Sequence, residues 1–336
     1  MKNVLYIGNN LKSKKSNISS IQTLGPLLES EGYTVFYASS KNNKILRLLD
    51  MLSRVLKLKN TIDVVLIDTY STHNFYYALL VSQLCRVLKI AYIPILHGGN
   101  LPSRLKRNPK LSGLIFNYAK HNVAPSLYLK NEFEAFGFHD IIYVPNAIKI
   151  EAYPFNCNTI EYPKLLWVRS FSEIYNPTLA ISILSELKKT EPEAKLCMVG
   201  PDADGSLAAI KQRVFDLNLN VEFTGKLTKQ EWISRSKDFN IFINTTNVDN
   251  TPMSVIEAMA LGMPVVSTNV GGLPFLISDK TDGLLVLPND VEAFVNAILK
   301  IKTDTALRAQ LVLNARQKVE SFSWKTIKPQ WDAVLS

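Results

Sequence analysis

The sequence predicts an α/β protein of two doubly wound domains, each a parallel sheet with helices on both faces. Three observations carry the prediction. Short β-branched runs alternate with helical stretches along the whole chain, the pattern of parallel α/β units. The runs fall into two series separated by a polar, Pro-containing stretch. The length of 336 residues also exceeds the size at which one hydrophobic core usually stops growing.

The first series reads as strands at Asn3–Ile7, Thr34–Tyr37, Asp63–Ile67, Ala91–Ile95, Asn122–Ala124 and Ile141–Val144. Apolar residues recur at helical spacing between them, for example from Ile18 to Leu28 and from Phe75 to Leu88. The second series is Lys164–Val168, Lys195–Val199, Val221–Phe223, Ile241–Asn244, Pro264–Ser267 and Leu284–Val286. Val144-Pro145-Asn146 and the stretch Glu151–Pro163 read as a hinge. The expected division is therefore residues 1–150, a linker over 151–163, and a second domain over 164–321. The segment 322–336 reads as a terminal amphipathic helix with Trp324, Ile327, Trp331 and Val334 on one side, expected to pack back on the first domain. Two such domains facing each other would leave a cleft. Ligands of open parallel sheets bind beyond the carboxyl ends of the strands, so the loops after strands are where function is sought.

A hydrophobic content of 47% and a charged content of 20% are those of a globular protein. The N-terminal apolar run is too short for a signal peptide, and no later stretch reaches a membrane-spanning length. Cys85, Cys157 and Cys197 are odd in number and far apart, which suggests neither a disulfide framework nor a zinc site and favours a cytoplasmic location. The net charge of +9 is uneven: residues 1–150 hold 19 Lys and Arg against 8 Asp and Glu, whereas the remainder is slightly acidic. Such asymmetry points to an anionic partner surface or, equally, to solubility.

The most informative segment follows the strand Ile241–Asn244. A loop from Thr245 to Asn250 leads into Thr251-Pro252-Met253-Ser254-Val255-Ile256-Glu257-Ala258-Met259-Ala260. Thr251 as N-cap with Pro252 at the first helical position, or Ser254 with Glu257 as a capping box, both start a helix here. Gly262 and Pro264 end it. A helix N-terminus beyond a strand is a natural phosphate seat. Asp249 and Glu257 place two acceptor carboxylates beside it, suited to hydroxyl-rich ligands such as a ribose or a hexose. Local rules alone leave open that Glu257 merely caps the helix and Asp249 merely shapes the loop.

The longer string, two acids separated by seven residues, then Ala258-Met259-Ala260-Leu261-Gly262-Met263-Pro264-Val265-Val266 and Gly271-Gly272, resembles the retaining glycosyltransferases of family 4 (glycosyl transferases group 1). These have the GT-B fold, two facing Rossmann-like domains with an interdomain cleft. The resemblance is specific in this segment and extends more loosely over nearly the whole chain. It implies transfer of a hexose from a nucleotide diphosphate sugar to an acceptor hydroxyl, by front-face attack with the leaving phosphate taking the proton. It implies an acceptor domain over 1–150 and a donor domain over 164–321, so that neither half transfers sugar alone. Glu257 would bind the donor ribose, and Asp249, where the family usually has Glu, would contact the transferred sugar. The amides of Met253, Ser254 and Val255 would grip phosphate or sugar.

The same resemblance assigns His97, in Leu96-His97-Gly98-Gly99-Asn100, to the sugar near its anomeric carbon, with Gly98 and Gly99 freeing the backbone to approach it. By residue chemistry alone the segment reads rather as a tight turn with an exposed His, since short Gly-Gly turns are common. Arg169, at the end of Lys164–Val168, would neutralise the donor diphosphate through its forked donors. Two departures stand out. Tyr175-Asn176 occupies the place of a usual Lys-Gly, so a second cation would come from elsewhere, such as Lys226 in Thr224-Gly225-Lys226. Lys15-Ser16-Asn17 stands where relatives often carry Gly-Gly. Asp202-Ala203-Asp204 has the form of a metal-binding tripeptide but reads here as a turn. No metal or other cofactor is expected, because Arg169 and the helix end supply the positive charge.

The stretch Lys44–Lys59 places Ile45, Leu48, Leu49, Leu52, Val55 and Leu56 on one face, with Arg47, Arg54, Lys57 and Lys59 nearby. It reads either as a helix packed on the sheet with its charges in water, or as one that lies on a membrane. Arg104, Lys106, Arg107 and Lys110 form a second basic cluster. The expected partners are a nucleotide-sugar donor and a glycan or lipid-linked acceptor of cell-surface polysaccharide or glycolipid synthesis. An anionic membrane surface is a further candidate. No nucleic-acid-binding module is recognisable, and Gly8-Asn9-Asn10 lacks the dinucleotide fingerprint. The competing readings are a non-catalytic sugar-nucleotide-binding subunit and another GT-B chemistry, such as sugar-nucleotide epimerisation.

Overall fold

The computed structural model describes residues 2–11, 19–157 and 159–336; Lys15-Ser16-Asn17, and Ile18 at the start of the first helical stretch, lie outside them. The chain divides into two compact units, Met1–Ala147 with Trp324–Ser336, and Ile148–Ser323.

The first unit carries strands β1 (Asn3–Ile7), β2 (Thr34–Ala38), β3 (Val64–Thr69), β4 (Ala91–Leu96), β5 (Asn122–Ala124) and β6 (Ile141–Tyr143). They form one parallel sheet in the order β2-β1-β3-β4-β5-β6. Helices α1 (Ser20–Ser30), α2 (Lys44–Leu58), α3 (His73–Val87), α4 (Leu101–Arg107), α5 (Pro109–Phe116) and α6 (Leu127–Ala135) connect them. Strand order reverses between β1 and β3, so the loops leaving those two strands diverge and open a crevice at their carboxyl ends. All six residues of β3 are buried, which is why it reads as an apolar run. The strand extends two residues beyond the expected Ile67, with Asp68 and Thr69 pairing in register with Ile95 and Leu96. The sheet therefore carries a carboxylate to its own edge.

The second unit carries β7 (Lys164–Val168), β8 (Lys195–Val199), β9 (Val221–Gly225), β10 (Ile241–Asn244), β11 (Val265–Thr268) and β12 (Leu284–Val286). The order is β12-β11-β10-β7-β8-β9, again wholly parallel. Its helices are α7 (Pro177–Leu187), α8 (Ser206–Asp216), α9 (Lys229–Ser236), α10 (Met253–Leu261), α11 (Leu273–Leu276), α12 (Val291–Thr303) and α13 (Thr305–Glu320). Alternation along β7 feeds two cores: Leu165 and Trp167 pack with Ile183, Met198 and Phe294 on one face. Leu166 packs with Phe242, Ile256 and Met259 on the other. Here the order reverses between β7 and β10. Pro264, expected to begin a strand, stays outside β11, because it has no N–H for the ladder; its carbonyl accepts from Phe242 N at 3.0 Å.

The last helix, α14 (Trp324–Leu335), belongs to the first unit. Ile327, Trp331 and Val334 are buried, whereas Trp324 is half-buried, and its indole N–H donates to Glu31 at 3.0 Å. Helix α2 does not bury all its apolar face. Met51 and Val55 are buried, but Ile45, Leu46, Leu49 and Leu56 are 70%, 55%, 56% and 49% exposed. Among the described residues no helix is long and apolar enough to cross a membrane.

Candidate active site

In the second unit the reversal between β7 and β10 puts Arg169, just past β7, beside the loop that follows β10. The Arg169 guanidinium donates from Nη2 to Asp249 Oδ2 at 2.5 Å and from Nε to Asn244 Oδ1 at 3.3 Å. Both side chains of this pair are largely buried, at 13% and 16% exposure. The Tyr175 ring lies 5.0 Å from the guanidinium carbon, a separation that allows cation–π attraction. Burial raises the Tyr175 phenol pKa; Arg169 lowers it and Asp249 raises it. The dipeptide Tyr175-Asn176 thus has a local role. Asn176 takes a left-handed conformation, φ +48°, and its side chain caps α7 by accepting from Leu179 N at 3.2 Å. Asn is among the few residues other than Gly that adopt that conformation readily.

The loop from Thr245 to Pro252 is held by side chains and by backbone. Thr245 Oγ1 accepts from Trp167 Nε1 at 3.0 Å and donates to the carbonyl of Asn176 or Tyr175. Thr268 donates to Thr246 O at 2.6 Å. The Gly271-Gly272 turn presses directly on the acid: Gly272 N donates to Asp249 O at 2.9 Å. A Cβ at Gly272 would stand 1.8 Å from Asn250 O. Only a residue without a side chain lets the two backbones meet this closely.

Helix α10 starts at Met253 with Pro252 as its N-cap and no side-chain cap bond. Neither expected cap forms. Thr251 lies outside the helix, and Ser254 and Glu257 are both inside it. Pro252 O takes the Val255 and Ile256 amides at 3.1 and 3.3 Å. Of the three amides proposed for ligand contact, Val255's therefore already has an acceptor. Among the described residues those of Met253 and Ser254 have none, and Ser254 Oγ is buried without a partner there. The helix end is thus open to an anion.

Glu257, a turn further on, is buried, at 8% side-chain exposure. Its Oε1 accepts from the Tyr153 hydroxyl at 2.8 Å and pairs with Lys229 Nζ at 2.7 Å. Burial, then Glu257, push the Tyr153 phenol pKa far up, so it stays a donor. Tyr153 comes from the stretch expected as a hinge, where Arg316 also donates to its carbonyl at 2.9 Å. Lys229, in the first turn of α9, is the cation recorded at Glu257; Lys226 lies exposed just past β9.

In the first unit His97 follows β4, and its amide donates to Thr69 O at 2.8 Å. It is buried at 7% exposure, not displayed on an open turn. Gly98 is exposed with φ +81°, and Gly99 is half-buried. The imidazole Nε2 lies 2.9 Å from Asp68 Oδ1. Asp68, Tyr153 and Lys229 are the residues the sequence reading missed.

Asp202 and Asp204 form a turn: Asp202 Oδ1 accepts from Gly205 N at 2.9 Å, and Asp204 Oδ2 accepts from Glu173 N at 2.9 Å. Hydrogen bonds from Ser206 and Glu173 hold the Asp204 carboxyl down at about 2. In the second basic cluster, Arg104 is a staple. Its Nε donates to Ser71 O at 2.9 Å and its Nη1 to Asn108 at 3.0 Å.

A doubly wound fold in both units, with a cation, two carboxylates and an open helix end at the second unit's switch point, defines a GT-B protein of the glycosyltransferase class. Residues 156–318, most of the second unit, match the family described as Glycosyl transferases group 1. The chain is 26% identical over 329 residues to a glycosyltransferase of Methanocaldococcus jannaschii, covering 96% of this chain and 90% of that protein. It is 26% identical over 149 residues to the sulfoquinovosyl transferase of Arabidopsis thaliana, covering 44% of this chain and 28% of that one. Its fold matches HepE from Anabaena, solved with UDP-glucose, at a TM-score of 0.79 and 16% identity over 100% of this chain and 99% of that one. Sucrose-phosphate synthase from Thermosynechococcus elongatus matches with a TM-score of 0.79 and 17% identity over 99% and 98%.

Proposed function

We propose that this glycosyltransferase moves a hexose from a nucleotide diphosphate sugar to an acceptor hydroxyl with retention at the anomeric carbon. The observation that carries the reading is the group at the second unit's switch point: Arg169 with Asp249, and the open amides of Met253 and Ser254 one helical turn before Glu257. HepE, a neighbour in fold, binds UDP-glucose, which supports a donor of this chemical class. Glu257 accepts from the ribose hydroxyls, displacing Lys229 or sharing its oxygens with it. Arg169 and the α10 amides stabilise the charge that develops on the departing diphosphate. Asp249 and His97 orient the sugar. The bond from the anomeric carbon to the phosphate oxygen breaks, and the acceptor oxygen takes its place on the same face. The acceptor's proton passes to a leaving-phosphate oxygen. The first unit acts as acceptor domain and the second as donor domain. The test is a thermal-shift screen of nucleotide sugars, then acceptor-dependent release of nucleoside diphosphate from the stabilising donor. Stabilisation by one donor, with release only when a cell-envelope acceptor is added, is expected. Binding without transfer to any such extract would make the protein a non-catalytic subunit, and release without acceptor would point to other chemistry.

We further infer that the acceptor is taken at an anionic membrane, as in cell-surface polysaccharide or glycolipid synthesis, with the protein peripheral on the cytoplasmic face. Ile45, Leu46, Leu49 and Leu56 of α2 are each about half exposed or more. Residues 41–59 carry six Lys and Arg against one acid, Asp50. An apolar stripe among basic residues matches the boundary of an anionic bilayer. Flotation with vesicles containing anionic phosphatidylglycerol should recover the protein, and Leu46→Ser with Leu49→Ser should reduce recovery. Equal recovery with neutral vesicles, or recovery insensitive to salt and to these substitutions, would overturn this docking face.

A further inference from the structure

The carboxyl ends of β1, β3 and β4 in the first unit converge on a buried polar cluster of which the reaction as described above uses only His97. Its centre is Asp68, the next-to-last residue of β3, whose side chain is 1% exposed. Asp68 Oδ1 accepts from the Tyr6 hydroxyl at 3.0 Å and meets His97 Nε2 at 2.9 Å. Asp68 Oδ2 is buried with no partner among the described residues. Tyr70 stacks on the His97 ring, with centroids 4.8 Å apart and an interplanar angle of 23°. Burial, then Asp68, hold the Tyr6 phenol well above its usual pKa, so it remains a donor to the carboxylate.

A carboxylate can only accept. The contact at 2.9 Å therefore requires a proton on His97 Nε2, whether the ring is neutral or charged. The second nitrogen, Nδ1, makes no hydrogen bond among the described residues. We propose that Asp68 is the positioning residue of His97: it fixes the Nε2–H form of the imidazole and, with Tyr70, its plane. Nδ1 is thereby the atom offered to a sugar hydroxyl. This rests on the reading that His97 touches the transferred sugar. A neutral ring held in this way presents Nδ1 as an acceptor; the opposite tautomer would present a donor and leave the buried carboxylate facing a lone pair. Burying Asp68 has a cost that only its bonds offset, and Tyr6 together with His97 supplies them. Nothing in the packing of β3 itself calls for a carboxylate there, since Val64 to Ile67 are all apolar and buried.

Two measurements test this. Long-range ¹H–¹⁵N correlation on protein labelled in histidine reads the tautomer directly in the native chain, without any substitution. The expected pattern for His97 is protonated Nε2 and bare Nδ1; a ring protonated on Nδ1 alone overturns the proposal. Asp68→Asn then keeps the shape but can turn an amide donor toward Nε2, switching the tautomer. The expected result is a fall in kcat of about tenfold or more, a changed His97 spectrum, and an unchanged Kd for the nucleoside diphosphate product, which the second unit binds. An unchanged kcat in Asp68→Asn overturns the proposal. Failure of the underlying sugar-contact reading has a different signature: His97→Ala would transfer at the native rate although the native spectrum shows protonated Nε2.

Discussion

Glu257→Ala will weaken binding of the nucleotide-sugar donor by about ten- to hundredfold, the range for losing hydrogen bonds to a charged acceptor. Isothermal titration with the donor found by the screen measures it. The size follows from burial. Glu257 is 8% exposed at its side chain and already carries Lys229 on Oε1, so a ribose hydroxyl meets a carboxylate poorly supplied with water. Removing it leaves the Tyr153 hydroxyl without its acceptor at 2.8 Å, and some loss of melting temperature will accompany the loss of affinity. Glu257→Gln separates the two effects, because an amide oxygen still accepts from Tyr153 while the charge facing Lys229 is gone. It should melt near the native temperature and bind donor with intermediate affinity. Native affinity in both variants would remove Glu257 from the site.

Arg169→Ala will lower kcat by about 10²- to 10³-fold, the effect typical of deleting one preorganised group that stabilises developing charge. Donor Kd should change much less. An interaction that strengthens as the phosphate leaves shows up in kcat, whereas one made equally in the ground state shows up in binding. Arg169→Lys should recover only part of the rate, since an ammonium cannot reproduce the fork that holds Asn244 and Asp249 together. Steady-state kinetics at saturating acceptor reads the split. If kcat were unchanged in Arg169→Ala, the pair with Asp249 would be a loop staple and the diphosphate charge would be met elsewhere.

Much of this fold is legible because parallel strands buried on both faces must be short apolar runs, and the loops after them are where residues with chemistry accumulate. Arg169 and Asp249 follow strands at the second unit's switch point, so their pairing could be foreseen from order along the chain. Three partners could not. Asp68 ends an apolar run, and its imidazole partner lies 29 residues away. Tyr153 reaches Glu257 across 104 residues, from a stretch whose Pro and polar content marks a hinge. Lys229 was overshadowed by Lys226, which sits in a Gly-Lys pair, whereas Thr228 caps α9 and puts the next residue at the helix start. The expected side-chain caps are also missing at α10, where Pro252 serves as N-cap and its carbonyl takes the Val255 amide. A usable signal for Asp68 existed: an acid closing an otherwise apolar β-branched run, followed by Thr and Tyr, is costly to bury without a purpose.

The first unit is written in two pieces, residues 1–147 and 324–336, with the whole second unit between them. During synthesis the first sheet emerges early but waits for α14, whose Ile327, Trp331, Val334 and Leu335 are buried, until the second unit has been made. The half that starts first is thus completed last. Cutting the gene at the boundary near residue 147 would not yield an independent half but one with an uncovered apolar seam. A separable first unit would instead be made by joining residue 147 to residue 324 through a short polar linker, leaving the second unit out as a single insertion.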